Sequence, residues 1–219
     1  MSSTETIRLG GLSMVIGAVL AFVSTLLSAV LFVGQDPTPY ANGPLFVPVN
    51  LLGALGAALL LFGAPLLYLA WSEGWGVLGL IGIVLLFVTG LMFGVFLPLL
   101  SIVLVPYLAQ HAPDTFKGNG PPAFLPFFIT GTLFEVVSVV LLAIPIIRGR
   151  LLDRWVGYLL LAVAVLVVVA FFISGPNGPT NVLISLISNL NGLLFFVALG
   201  WMGYRLWTGR RGVLDRLTG

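Results

Sequence analysis

Residues 98–110 read PLLSIVLVPYLAQ, and the number of times this chain crosses a membrane turns on them. They prolong an apolar run that starts at Gly76, so the whole stretch is long enough for one span with an outward extension or for two spans. Charge separates the two readings. Of the nine Lys and Arg residues, Arg8 precedes the first apolar block and Arg148, Arg150 and Arg154 lie between the fourth and fifth. Arg205, Arg210, Arg211 and Arg216 close the chain. With one span here, these eight fall on one side and Lys117 alone falls opposite, the bias expected of cytoplasmic segments. With two, Arg8 would be parted from the other arginines. The single-span reading is adopted, and residues 98–110 are expected at the outer interface, bounded by Pro98 and Pro106, because proline removes a donor and bends a helix.

Composition sets the class around this stretch. Hydrophobic residues form 59% of the chain and charged residues 7%, against roughly 45–50% and about 25% in ordinary soluble domains. The excess is gathered in blocks at 8–33, 47–71, 76–97, 124–147, 155–173 and 180–207. A helix needs ~20 residues to cross ~30 Å of hydrocarbon. The expected fold is therefore all-α and membrane-embedded, a six-transmembrane-helix bundle with short loops and both termini cytoplasmic. It forms a single transmembrane domain over 1–219, with no room for a soluble domain. The first block is longer than the apolar region of a signal peptide and no small-residue cleavage site follows it, so it is read as a retained anchor.

Several chemistries are excluded by residue supply. The chain has no cysteine, so disulfides, thiolate metal sites and iron–sulfur clusters are out. His111 is the only histidine, which rules out a haem held by two histidines and makes a histidine metal site a poor fit. Lys117, the only lysine, lies in a loop and not where a retinal Schiff base would need it, and no glycine-rich stretch ends in the Lys-Ser or Lys-Thr of a phosphate-binding loop. The net charge of +2 comes from residues beside the spans and is no nucleic-acid patch. No catalytic residue, metal or cofactor is assigned, and the chain is read as non-enzymatic.

The outer loops are dense in turn-forming residues: GQDPTPYANGPLFVP at 34–48, QHAPDTFKGNGPP at 110–122 and SGPNGPT at 174–180. The odd-numbered spans begin alike, with GLSMVIGAVLA, GVLGLIGIVLL and RWVGYLLLAVAVL. The even-numbered ones end in GAPLLYLAW, LAIPIIRGR and ALGWMGYRLW, so three tandem helical hairpins are one arrangement of the bundle. Trp71, Trp75, Trp155, Trp201, Tyr204 and Trp207 match an aromatic belt at the inner interface. The order PLFVPVNLLGALGAALLLFGAPLLYLAW (44–71), GVLGLIGIVLLFVTG (76–90), RWVGYLLLAVAVL (154–166) and GWMGYRLW (200–207) resembles the small six-transmembrane-helix bacterial membrane proteins of unknown function. The resemblance implies the same topology and a bacterial inner membrane. It carries no functional residue.

Small residues suggest which helix faces meet, since association in lipid depends on close backbone approach and polar contacts. Ser13, Gly17, Ala21, Ser24 and Ser28 share one face of the first helix; Gly53, Ala57 and Ala64 mark the second and Gly90 and Gly94 the third. The fourth carries the one acid placed inside a span. Glu135 lies about 11 residues, or roughly 16 Å, from the outer boundary, at the bilayer midplane. Thr132 and Ser138 share its face. On the sixth helix Asn181, Ser185, Ser188, Asn189 and Gly192 form a second polar stripe, and Asn189 and Asn191 stand near the depth of Glu135. An acid at mid-membrane costs about 2.5–3.5 kcal/mol on insertion scales, and no Lys or Arg lies at that depth. Glu135 is expected to be protonated and hydrogen-bonded to the Asn189–Asn191 region.

Three function classes follow. A non-enzymatic accessory, lipid-binding or small-hydrophobic-ligand-binding module would use Glu135 as glue between helices, with the lipid bilayer as its surroundings and a homo-oligomer or membrane complex left open. A proton-coupled carrier would use Glu135 as its protonation site, Asn189, Asn191 and Thr89 as lining groups and Pro65, Pro98 and Pro145 as hinges. A membrane enzyme would need clustered titratable or nucleophilic groups that this chain lacks.

Overall fold

The computed structural model describes residues 3–32, 38–112, 124–149, 152–174 and 182–209. These are helical almost throughout, with no strand among them: α1 Ser3–Leu31, α2 Thr38–Ala41, α3 Phe46–Thr89, a π-helical stretch Gly90–Phe96, α4 Leu97–His111, α5 Phe124–Arg148, α6 Arg154–Ser174 and α7 Val182–Thr208. Five helical runs are long and apolar enough to cross a membrane, the second being Phe46–His111. The protein is helical and membrane-embedded.

The expected second and third helices thus share one helical run. Within α3, Trp71 (φ −126°, ψ 16°) and Gly76 (φ 53°, ψ −153°) leave helical geometry, and the chain turns back on itself between them. The positive φ of Gly76, combined with that ψ, is open only to a residue without a side chain. Two arms result, 46–70 and 77–89. They are antiparallel neighbours: a Cβ on Gly90 would lie 2.7 Å from Leu61 Cδ2, and one on Gly94 would lie 2.6 Å from Ala57 Cβ. The glycines give the returning arm room to sit against the outgoing one.

Beyond the second arm the helix does not stop at Pro98. The turns over Gly90–Phe96 are wide, with the Leu97 N–H donating to the Met92 carbonyl five residues back. Pro98 then falls in the first turn of α4, and the wide turn before it gives its ring room that a regular α-turn would deny. Residues 98–110 therefore continue the helix that began at 77, some 50 Å of it at ~1.5 Å per residue. The C-terminal end of α4 is tied down by Gln110 Nε2, which donates to Asn42 Oδ1 at 3.0 Å next to α2.

The remaining contacts make a closed ring. α1 packs on the first arm of α3, where Gly17 and Gly56 bring the two backbones so close that a Cβ on Gly17 would be 2.6 Å from the Gly56 carbonyl oxygen. Ser13 Oγ and Ser24 Oγ donate across the same interface to the Leu59 and Val49 carbonyls, both at 2.8 Å. The small-residue stripe of α1 is therefore its α3-facing side. The second arm packs on α5, α5 on α6, α6 on α7, and α7 returns to α1.

The ring is unevenly filled. At the end where α1 begins and α7 ends, Met14, Leu67, Leu142, Leu160 and Met202 form a dry core. Trp71 and Trp75 are buried in it instead of lining a lipid-facing belt, their rings 5.4 Å apart. Trp201 Nε1 donates to Asp153 Oδ2 at 2.9 Å, and Arg205 Nε stands 3.6 Å from the same oxygen, fastening α7 to the α5–α6 connection. Toward the opposite end packing loosens: among the described side chains, none of α6 after Val167 and none of α7 before Ala198 is buried.

Candidate functional site

Glu135 lies where the dry core gives way to the looser half. Its surroundings are set by α3 and α5. Gly82 stands against Leu142, where a Cβ would be 3.0 Å from Leu142 Cγ, and the Phe93 ring occupies the place of a side chain at Gly131. Gly82 and Phe93 are as far apart in sequence as Gly131 and Leu142, so the two antiparallel helices keep one register between them. Gly82 meets Leu142 and Phe93 meets Gly131, and counting between these contacts pairs Leu86 with Ser138 and Thr89 with Glu135.

From α7, the Asn191 side chain hydrogen-bonds the Glu135 carboxyl group, its amide N–H donating. α5 packs on α3 and α6, and α7 on α1 and α6, but the two hardly touch one another, so this polar contact is a main link between them. Asn191 comes to this position because the next residue, Gly192, lies against Thr25 of α1, where a Cβ would be 3.4 Å from Thr25 Cγ2.

Two oxygens here are buried without a hydrogen-bond partner: Thr89 Oγ1 and Asn191 Oδ1. Thr89 is only 6% exposed. Each such buried polar group costs about 1–3 kcal/mol when nothing serves it.

The other expected site residues are distributed as follows. Ser138 is fully buried, but its hydroxyl donates at 2.8 Å to the backbone carbonyl of Glu135, so it serves its own helix and not the carboxyl group. Thr132 is half-buried one turn further out. Asn189 is half-buried and has a contact of its own. Ser188 is exposed on α7, and the side chain of Ser185 lies outside the described residues, as does Asn181. The layer at Glu135 thus joins Glu135 and Asn191 from the two expected stripes by a hydrogen bond, with Thr89 of a third helix opposite by register. Thr89 was named from the sequence only as a lining group of the carrier reading, as one hydroxyl in an apolar helix.

No group of three or more His, Cys, Asp or Glu suited to a metal ion occurs among the described residues. A second feature lies on the outside of the bundle. Between α1 and α7 a shallow groove of about 380 Å³ is lined by Val15, Val19, Phe22, Val197, Gly200 and Tyr204 among others, almost wholly apolar. Gly200 shapes its floor by leaving space over Ala18, where a Cβ would be 3.0 Å from Ala18 Cβ.

Comparison of the chain with protein-family models, with curated proteins and with solved structures gives no match. The site and the fold therefore carry the functional argument alone.

Proposed function

We propose that the chain is a non-enzymatic, six-span protein of the bacterial inner membrane with both termini in the cytoplasm. In this reading a protonated Glu135 ties α5 to α7, and the apolar face binds a lipid chain or a small hydrophobic ligand. The observation that carries the reading is the Asn191–Glu135 hydrogen bond, one polar tie at the centre of an apolar ring. A neutral carboxyl group suits that place, because no Lys or Arg of the described helices reaches it: Arg8, Arg148, Arg154 and Arg205 all lie at the end where α1 begins. Their common placement also supports a cytoplasmic face there. The reversal at Trp71–Gly76 supports six crossings, two of them the arms of the long second run. The groove between α1 and α7 has the apolar lining that an acyl chain would cover.

Infrared spectroscopy of the protein in lipid tests the tie. In buffer free of alkali ions, a protonated carboxyl band at neutral pH that is lost in Glu135→Gln upholds it, and a Glu135 ionised at pH 7 in that buffer refutes it. For the groove, Gly200→Leu should displace co-purifying lipid seen by native mass spectrometry, and an unchanged lipid content would remove the groove from consideration.

A proton-coupled carrier is the second reading, favoured by the orphaned Thr89 and Asn191 oxygens and by the looser packing on the outer side of Glu135. Uptake driven by a pH gradient into reconstituted vesicles, abolished by Glu135→Gln, would establish it.

A further inference from the structure

Thr89 Oγ1 and Asn191 Oδ1 are buried and unserved; the Asn191 amide hydrogen-bonds the Glu135 carboxyl group, and the register set by the Gly82–Leu142 and Gly131–Phe93 contacts counts Thr89 opposite Glu135. We propose that Thr89 Oγ1, Asn191 Oδ1 and the Glu135 carboxylate bind one alkali cation, sodium or potassium, at the centre of the bundle. The inference uses the position of Glu135 and does not depend on whether the protein transports anything.

The chemistry of the donors selects the ion. All three are oxygens, which suit hard cations and leave zinc or copper poorly served. A single carboxylate neutralises one positive charge, whereas a divalent ion would leave a net charge in the middle of an apolar bundle. The direction of the Asn191 amide matters too. Its N–H already donates to Glu135, so its buried carbonyl oxygen remains as an acceptor without a donor. A proton on Glu135 can answer one of the two orphaned oxygens. A cation answers both and the carboxylate as well.

The same carboxyl group takes either a proton or the cation, and binding the cation releases that proton to the solvent. No other titratable side chain competes at this level among the described residues. On α1, Glu5 and Arg8 lie at the inner end, as do Glu73 on α3, Arg148 on α5, Asp153 and Arg154 at the start of α6, and Arg205 on α7; His111 ends α4 at the outer side. Entry from the outer side is the shorter route, since the inner half is filled by the dry core.

The test uses the full-length protein in detergent at pH 8, with choline chloride replaced by sodium, potassium or lithium chloride at constant ionic strength. The unfolding midpoint should rise saturably with an alkali ion, by about 5–10 °C at a hundredfold excess over Kd. Apparent affinity should fall about tenfold per pH unit once the proton competes. Glu135→Gln should unfold at an unchanged midpoint in every salt. Thr89→Val should weaken cation binding at least about tenfold while raising the midpoint in choline, because an unserved hydroxyl has been removed. Equilibrium dialysis with radioactive sodium or potassium gives the same answer without variants, with one ion per chain expected. Equal midpoints in choline and in all alkali salts, or a salt response retained by Glu135→Gln, would overturn the site and leave bound water as the partner of the two oxygens. A protonated carboxyl band that no alkali ion alters would uphold the interhelical tie and sink the cation site.

Discussion

The Phe93 ring occupies the space that a side chain at Gly131 would need, and this contact locks the second arm of α3 to α5 in the register that sets Thr89 opposite Glu135. The ring is itself held by neighbours, 5.6 Å from Phe127 and 6.0 Å from Phe128 between centroids. It therefore has little freedom to step aside.

Gly131→Leu should accordingly destabilise the protein by about 1–3 kcal/mol, the usual range for overpacking a filled contact. Unfolding in mixed detergent, followed by circular dichroism, reads the change. A stability equal to the native protein would mean that the ring moves freely and does not hold the register.

Glu135 and Asn191 should couple energetically. Comparing Glu135→Leu, Asn191→Leu and the double variant should give an interaction of about 0.6 kcal/mol, and at most about 1.7, as for other hydrogen bonds between membrane helices. Glu135→Gln, which keeps a polar partner of like size, should lose much less than Glu135→Leu. Strict additivity of the two leucine variants would show that the contact contributes nothing.

Gly76→Ala tests the reversal. A Cβ there would meet nothing within 4 Å, so any cost is conformational and not steric. The backbone angles at Gly76 suit glycine almost alone, and alanine should cost about 1–3 kcal/mol. A neutral substitution would place the turn elsewhere in residues 71–76.

Topology can be read chemically, because the chain has no native cysteine to interfere. Thr38→Cys, Asn119→Cys and Asn177→Cys should react with an impermeant thiol reagent applied to whole cells. Ser72→Cys and Thr218→Cys should not react until the membrane is opened. Labelling of Thr218→Cys from outside would overturn the six-span arrangement.

Much of this architecture can be read along the chain. The apolar blocks mark the helices because every backbone polar group in a bilayer must be satisfied within its own segment, and only helices of that length do so. The spacing of Ser13, Gly17, Ala21 and Ser24 identifies the face of α1 that meets another backbone, since it depends only on the helical period. The depth of Glu135 follows from counting residues. The position of residues 98–110 is less legible: prolines normally close a helix, and only the wide turns of Gly90–Phe96 let this one run on to His111.

What the sequence by itself determined is the helical membrane class, the position of the chain reversal near Trp71–Gly76, and the presence of one carboxyl group deep in an apolar helix. The tertiary structure alone decided what that carboxyl group meets. It brings Asn191 to Glu135, turns the Ser138 hydroxyl back onto its own helix, buries Trp71 and Trp75 in the core and sets Thr89 across from the acid. Helical periodicity says which residues share a face, but which faces meet, and at what register, is settled by the packing of side chains such as Phe93 into the gaps left at glycines such as Gly131, on helices far apart in the chain.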